Sequence, residues 1–518
     1  NFDKSDTYGA LRFNTTSSEV TKQPLIFHYL VDVSGSMSDR TRDGRSKIRL
    51  IIHTLTNMFH YYAENSENVF VQVSGFDNTI HSYIKPTMVT SENVNSLINK
   101  LSRMRPMNLT NIELALTTAY NYISDSSLNI PKMNQVVILL TDGYSNMGEI
   151  CPTKLVKLIQ NDISSHFIAL GDDHDTEIMY ALGHQTPNTS NWLINNLEHT
   201  GNVYGEILFN ETHKVLYDVN IRVKNGKIFD YLKGKMVDDI SIGTLSSEMQ
   251  KEYHIISNCP DVCEVVITGT DTSNGNKIEV HLNDMPPLIS RELITDPNIY
   301  DYFIEIQYLR MGVQKLMADV RLSSTIPCKS DPNRQYEQKS IFHIPNNNNM
   351  NALLDKRISE MKQNIEEFID KHNLFGHKLL NGLIDDLAII LNTSNGNLID
   401  IKYITAREDS QGRQTCYVTE TQIDSDDDDD DPPCKIQRSC VNIEPISAYS
   451  TPSRINIMRS ISGFNKKSII DEKIIDDIND FLSQTQDDTI EMDSDNEWTN
   501  IQPNINSVAL SRQISTSM

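Results

Sequence analysis

Five oxygen-bearing side chains have the types and spacing to hold a hard divalent cation. Asp32, Ser34 and Ser36 stand in the run Asp32-Val33-Ser34-Gly35-Ser36, Thr110 in Asn108-Leu109-Thr110-Asn111-Ile112, and Asp142 in Thr141-Asp142-Gly143. A short loop can turn the two serine hydroxyls toward one point, with Gly35 letting the backbone bend between them, while the aspartates add negative charge. An oxygen set with two carboxylates and room for water suits Mg²⁺, with Mn²⁺ or Ca²⁺ as substitutes. Each piece alone is weak, since D-x-S-x-S arises by chance and Thr-Asp-Gly is an ordinary turn. No general base, nucleophilic cysteine or catalytic histidine lies near them in sequence, so binding rather than catalysis is expected.

The elements that must position these residues follow from apolar periodicity. Leu25 to Val31 reads as a buried strand running straight into Asp32, and Ile48, Ile51, Ile52, Leu55 and Phe59 recur at helical spacing. Val69 to Val73 is a second strand, Thr79 to Ile84 an edge-like one, and Val94 to Met104 and Asn111 to Ile123 are helices. Gln135 to Leu140 leads into Asp142, and His166 to Gly171 completes the series. The alternation predicts an α/β fold, a doubly wound, mostly parallel sheet of Rossmann-like kind, with the five residues gathered at the carboxyl ends of its strands.

D-x-S-x-S, then Thr110-Asn111-Ile112-x-x-Ala115-Leu116, then Leu139-Leu140-Thr141-Asp142-Gly143, in that order, resembles the von Willebrand factor A (VWA) domain and its metal-ion-dependent adhesion site. The resemblance implies that Ser34, Ser36 and Thr110 touch the metal, that Asp32 and Asp142 act partly through water, and that a carboxylate from a partner completes the shell. Leu109 stands where the family commonly has Gly. The whole chain also resembles proteins in which a VWA domain is trailed by an intein-like (VWA/Hh) region, as in plant RING-type ubiquitin ligases and protist and viral relatives. It lacks the zinc-ligand spacing of a RING: Cys259-Pro260-Asp261-Val262-Cys263 is one C-x3-C pair without a second, which reads better as free or buried thiols.

An N-terminal extension (1–20) and the VWA domain (21–218) are expected to be followed by a small antiparallel β domain (219–290), where short alternating runs are separated by Asn-Gly turns. An α-helical region (291–404) carries Tyr302, Ile306, Leu309, Val313, Leu316 and Val320, then Ile358, Met361, Ile365 and Phe368, at helical spacing. From 405 to 518 the periodicity is lost and 22 Asp+Glu face 10 Lys+Arg, so this stretch reads as an acidic, mostly disordered tail with one amphipathic helix over 469–482. Ser425, beside the run Asp426 to Asp431, is a candidate phosphorylation site, although a solvated spacer is the plainer reading. His174, in Gly171-Asp172-Asp173-His174-Asp175, is a weaker metal candidate than an ordinary solvated loop.

The 518 residues carry 46 Lys+Arg and 70 Asp+Glu, a formal charge of −24, which argues against nucleic acid or anionic membrane as partner. No apolar run approaches the roughly 18 residues of a membrane span. Seven scattered cysteines and a start without basic and apolar signal regions favour an intracellular, cytoplasmic protein, with a virion-associated one as an alternative. The Asn-, Ile-, Lys- and Asp-rich composition resembles products of AT-rich viral or protist genomes. The leading expectation is therefore a cation-dependent protein-binding module, not an enzyme, whose partner offers an Asp or Glu and whose tail attracts basic proteins. A ubiquitin-ligase-like substrate recruiter and a structural or scaffold protein are the alternatives.

Overall fold

The run from Leu25 to Asp32 is buried along its whole length, because a strand with parallel neighbours and helices on both faces has no wet side and need not alternate. In the computed structural model the described residues are 7–15, 24–41, 44–65, 68–125, 133–171, 174–194, 197–259, 262–282, 297–324, 348–394, 398–415, 451 and 453–461. Strand β1 (Thr7–Asn14) precedes β2 (Leu25–Asp32), helix α1 (Lys47–Asn65), β3 (Val69–Phe76), β4 (Ile80–Met88), α2 (Val94–Leu101), α3 (Ile112–Ser124), β5 (Asn134–Thr141), the short α4 (Pro152–Leu155), β6 (Ser164–Leu170), α5 (Thr176–Gly183), β7 (Thr189–Ile194) and α6 (Leu197–Thr212). Six of the strands pair in the order β4-β3-β2-β5-β6-β7, with only β4 antiparallel. On one face Phe59 and Tyr62 of α1 meet the rings of Tyr29 and Phe27. On the other, Ala115, Leu116 and Ala119 of α3 join Leu30, Val137 and Leu139 in one core.

The sheet extends one strand beyond the expected series. Thr189-Ser190-Asn191 opening β7 looks too polar for a buried strand, yet all three are buried. Most of their polar groups have protein partners: Thr189 Oγ1 donates to Gly183 O at 2.9 Å, Ser190 Oγ accepts from Trp192 Nε1 at 2.6 Å, and the Asn191 backbone amide donates to Asp409 Oδ2 at 3.1 Å. A satisfied polar group costs little to bury, so periodicity alone misses such a strand.

Residues 214–281 form β8 (Lys214–Lys224), β9 (Lys227–Asp230), β10 (Lys235–Val237), β11 (Asp239–Ser246), β12 (Gln250–Ser257), β13 (Glu264–Asp271) and β14 (Lys277–His281). They make two antiparallel sheets, β11-β8-β13-β14 and β1-β12-β9-β10, which share a core of Leu11, Ile221, Val223, Ile228, Ile240, Tyr253, Ile255 and Val265. Gly275, in the turn Ser273-Asn274-Gly275, takes φ +71°, which only glycine adopts without strain. Strand β1 pairs with β12 from Thr7↔Ser257 to Asn14↔Gln250. The parallel domain is thus an insertion within the β-sandwich.

Helices α7 (Pro297–Ser324), α8 (Asn348–His372), α9 (Lys378–Ser394) and α10 (Leu398–Arg413) follow. The periodic residues Ile306, Val313, Leu316, Val320, Ile358 and Ile365 meet Leu380, Leu383 and Leu387 in a common core. Helix α10 crosses residue 405, where the apolar pattern is lost, because its polar side chains are buried in ion pairs: Arg407 with Asp386 (2.5 Å), Glu408 with Arg321 (2.8 Å) and Arg413 with Asp409 (2.6 Å). A last helix, α11 over 453–461, has Arg454, Met458 and Ile461 buried. Gly412 near the end of α10 lies against Tyr231, where an added Cβ would fall 1.9 Å from ring Cδ2. Gly412→Ala is expected to lower stability by at least about 1–3 kcal/mol through overpacking, measured by urea unfolding. An unchanged midpoint would mean that the Tyr231 ring can move aside.

Candidate functional site

The carboxyl ends of β2 and β5 bring Asp32 and Asp142 together at the edge of the sheet, and both are fully buried. Asp32 Oδ1 accepts the Ser34 amide at 2.8 Å and Oδ2 accepts Thr141 Oγ1 at 2.6 Å. The hydroxyls of Ser34 and Ser36 lie 3.2 Å apart, within hydrogen-bond distance of each other. The Gly35 amide donates to Asn108 O at 3.2 Å and the Met107 amide to Val33 O at 2.7 Å, which fastens the Thr110 loop beside the first loop. Thr110 is buried; its amide donates to Asn146 Oδ1 at 2.8 Å, and its carbonyl accepts the Asn146 and Met147 amides at 3.1 Å. All five expected residues therefore converge on one edge.

The expectation of a bound Mg²⁺, Mn²⁺ or Ca²⁺ ion at these residues is corrected by their surroundings. Among the described residues no group of three or more His, Cys, Asp or Glu could hold a metal ion. The cationic partner of Asp142 is the ammonium of Lys47, 3.2 Å from Oδ2 and 1 % exposed. Among the described residues Asp142 Oδ1 is buried without a hydrogen-bond partner. Burial, and then the Asp142 charge, push the Asp32 carboxyl up to about 7. The donors Asp32, Ser34, Ser36 and Asp142 are engaged with protein groups, and the complete adhesion-site motif is not upheld. A partner Asp or Glu completing a metal shell falls with it, as do the magnesium and metal-binding assignments.

Two residues of this network carried no recognised signal. Lys47 sits at the first position of α1, where an ammonium opposes the helix dipole; that misplacement is the clue that it serves a carboxylate elsewhere. Asp77, just after β3, accepts Asn108 Nδ2 at 2.8 Å and the Thr79 amide at 2.7 Å, and its carbonyl accepts the Asn111 amide at 3.1 Å. Burial would raise its carboxyl, but the bonds from Asn108, Thr79 and His81 outweigh it and hold it below the usual range. This lets Asn108 keep its left-handed φ of +64°, a conformation Asn tolerates better than most residues.

The other candidates separate from this edge. His174 is buried with Nδ1 on Gly171 O at 2.9 Å, a loop-closing bond, and Asp175 caps α5 by accepting the Ile178 amide at 3.1 Å. Cys259 and Cys263 are free thiols, the second packed against the sandwich core. Ser425, the Asp426 to Asp431 run and the helix expected over 469–482 lie outside the described residues. Among the described residues no helix is long and apolar enough to cross a membrane.

Residues 28–204 match the family described as von Willebrand factor type A domain, so the inserted α/β domain has the VWA fold. The match takes in neither the sandwich strands nor helices α7 to α11, and lends nothing to the resemblance expected for that part. Inter alpha-trypsin inhibitor, heavy chain 4, of Mus musculus is 30 % identical over 138 residues, covering 26 % of this chain and 13 % of the relative. Inter-alpha-trypsin inhibitor heavy chain H2 of Mesocricetus auratus is 20 % identical over 332 residues, covering 61 % and 32 %. The chain thus spans less than a third of the length of each. Among solved structures, the ArnB paralog VWA2 from Sulfolobus acidocaldarius is similar with TM-score 0.43 and 12 % identity over 79 % of this chain and 99 % of that one. A von Willebrand factor type A protein from Catenulispora acidiphila gives 0.40 and 12 % over 62 % and 84 %.

Proposed function

We propose that the chain is a non-enzymatic structural or scaffold protein whose VWA domain docks a partner protein on the sheet edge around Asp32 and Thr110, through apolar contact and without a cation. The observation that carries this reading is a rim of half-exposed apolar side chains on the two loops that frame the polar cluster. Met107 (48 % exposed) and Leu109 (49 %) stand on one loop, and Tyr144 (48 %), Met147 (39 %) and Ile150 (54 %) on the other. The loops are joined through Thr110 and by the Glu149 amide on Glu113 Oε2 at 2.8 Å, so the rim is pre-ordered before any partner arrives. Exposed apolar side chains gathered around a polar centre are a liability in water unless something covers them. Leu109, at the position where VWA domains commonly carry Gly, adds to this surface. The buried network beneath then stiffens the loops.

The test is capture of binding partners by the immobilised full chain, identified by mass spectrometry. The Leu109→Asp/Ile150→Asp variant is expected to lose them, with at least a tenfold weakening, on the order of 1.4 kcal/mol, while EDTA leaves capture by the unaltered chain intact. Capture that survives the double substitution, or that EDTA abolishes, overturns the reading.

A further inference from the structure

Where the VWA domain meets the sandwich and the end of α10, the fold forms a half-open pocket of about 80 Å³, lined among others by Ser164, His166, Trp192, Lys251, Tyr253 and Arg413. A single water needs roughly 10–15 Å³ on this measure, so several waters or one small polyatomic ion fit. Lys251 projects into it from β12 and is 8 % exposed. The neighbouring cations all have carboxylate partners: Arg413 with Asp409 at 2.6 Å, Arg454 with Glu206 at 3.1 Å, and Lys214 with Glu211. The Lys251 ammonium has neither a hydrogen bond nor an ion pair among the described residues; it feels Glu206 only at longer range, against Arg454 and Arg413.

We infer that this pocket is a binding site for a small oxyanion of the phosphate or sulfate class, with Lys251 as its ion-pair partner. A buried ammonium among paired cations is costly and lacks a counter-charge. An anion seated against it supplies that charge, and Arg413 reinforces the field. Tyr253 and Tyr231, whose hydroxyls burial pushes well above their ordinary value, remain protonated donors at the wall, and Ser241 and Thr244 add hydroxyls. The titratable groups lining the site are Lys251 and Tyr253 from β12, Arg413 from α10, His166 from β6, Glu211 from α6 and Tyr231 after β9, while Glu206 of α6 and Arg454 of α11 act on Lys251 from farther away. Burial first, and then the two arginines, lower the Lys251 ammonium to about 7, so the site is cationic in acid and nearly neutral in mild base.

The experiment is thermal unfolding and titration calorimetry of the full chain with sulfate, inorganic phosphate or chloride at matched ionic strength. Sulfate and phosphate are expected to raise the midpoint saturably, and chloride is not. Sulfate does not titrate near neutrality, so its affinity should fall about tenfold between pH 6 and pH 8 as Lys251 loses its proton. Lys251→Met should abolish the sulfate effect while itself being as stable as the parent in chloride. Acylation of Lys251 in the unaltered chain, followed by mass spectrometry, gives a readout that needs no variant: sulfate should slow it and chloride should not. Sulfate that neither shifts unfolding beyond chloride nor protects Lys251 overturns the inference, as does a sulfate shift that persists in a folded Lys251→Met protein.

Discussion

Lys47→Met is expected to cost about 3–5 kcal/mol of stability at neutral pH, the usual effect of removing one partner of a buried ion pair. The stem of the side chain is kept, so little packing is lost; what disappears is the ammonium 3.2 Å from Asp142, with both groups almost fully buried. Among the described residues Asp142 has no second compensation, because its Oδ1 already lacks a hydrogen-bond partner, and Asp32 is its electrostatic neighbour. Urea unfolding measures the loss, and Lys47→Met/Asp142→Asn should recover most of it. The same network sets a pH dependence. The folded Asp32 carboxyl titrates near 7 against 3.8 for the free side chain, so between those values the folded state holds a proton that the unfolded chain has released. Its contribution is complete below about pH 4 and lost as pH rises through about 7; stability falls across that window, and Asp32→Asn should flatten the fall. EDTA should leave the midpoint of the unaltered protein where it is. A midpoint that moves with EDTA, or a Lys47→Met protein within about 1 kcal/mol of its parent, would contradict an internal ammonium as the cation of this site.

Arg454→Met should have an effect of similar size with a different readout. Arg454 is 1 % exposed, with Nη1 3.1 Å from Glu206 Oε1, Nη2 3.3 Å from Asn210 Oδ1 and its guanidinium 5.0 Å above the Phe209 ring. It fastens α11 to α6, while Met458 of α11 covers Gly205 so closely that an added Cβ would lie 2.8 Å from Met458 Cγ. Without the guanidinium, Glu206 is left buried beside Asn210, at about 3–5 kcal/mol. Hydrogen exchange should show the amides of 453–461 losing protection before the α/β sheet does. Gly205→Val tests the contact independently, since it displaces Met458 and leaves the charges alone. Protection of 453–461 that is unchanged in both variants would show that neither the ion pair nor the Met458 contact holds the helix in place.

The sequence by itself determined the α/β alternation, because strands and helices buried on a shared core announce themselves by short-range apolar spacing. It determined that Asp32, Ser34, Ser36, Thr110 and Asp142 would share one edge, because each follows or precedes an element whose direction the alternation sets. It also determined the helical seam through Ile306, Val313, Ile358 and Ile365. Only the tertiary structure decided what those five oxygens do. The charge that answers Asp142 comes from Lys47, 95 positions away, and no periodicity marks an ion pair between distant positions. For the same reason β1 was unreadable as the partner of β12, β7 as a buried strand, and α10 and α11 as parts of the folded body. The burial of β7, α10 and α11 rests on hydrogen bonds and ion pairs to distant residues, Asn191 to Asp409 and Arg454 to Glu206, so the polar residues that made them look solvent-exposed in sequence are the ones that hold them inside.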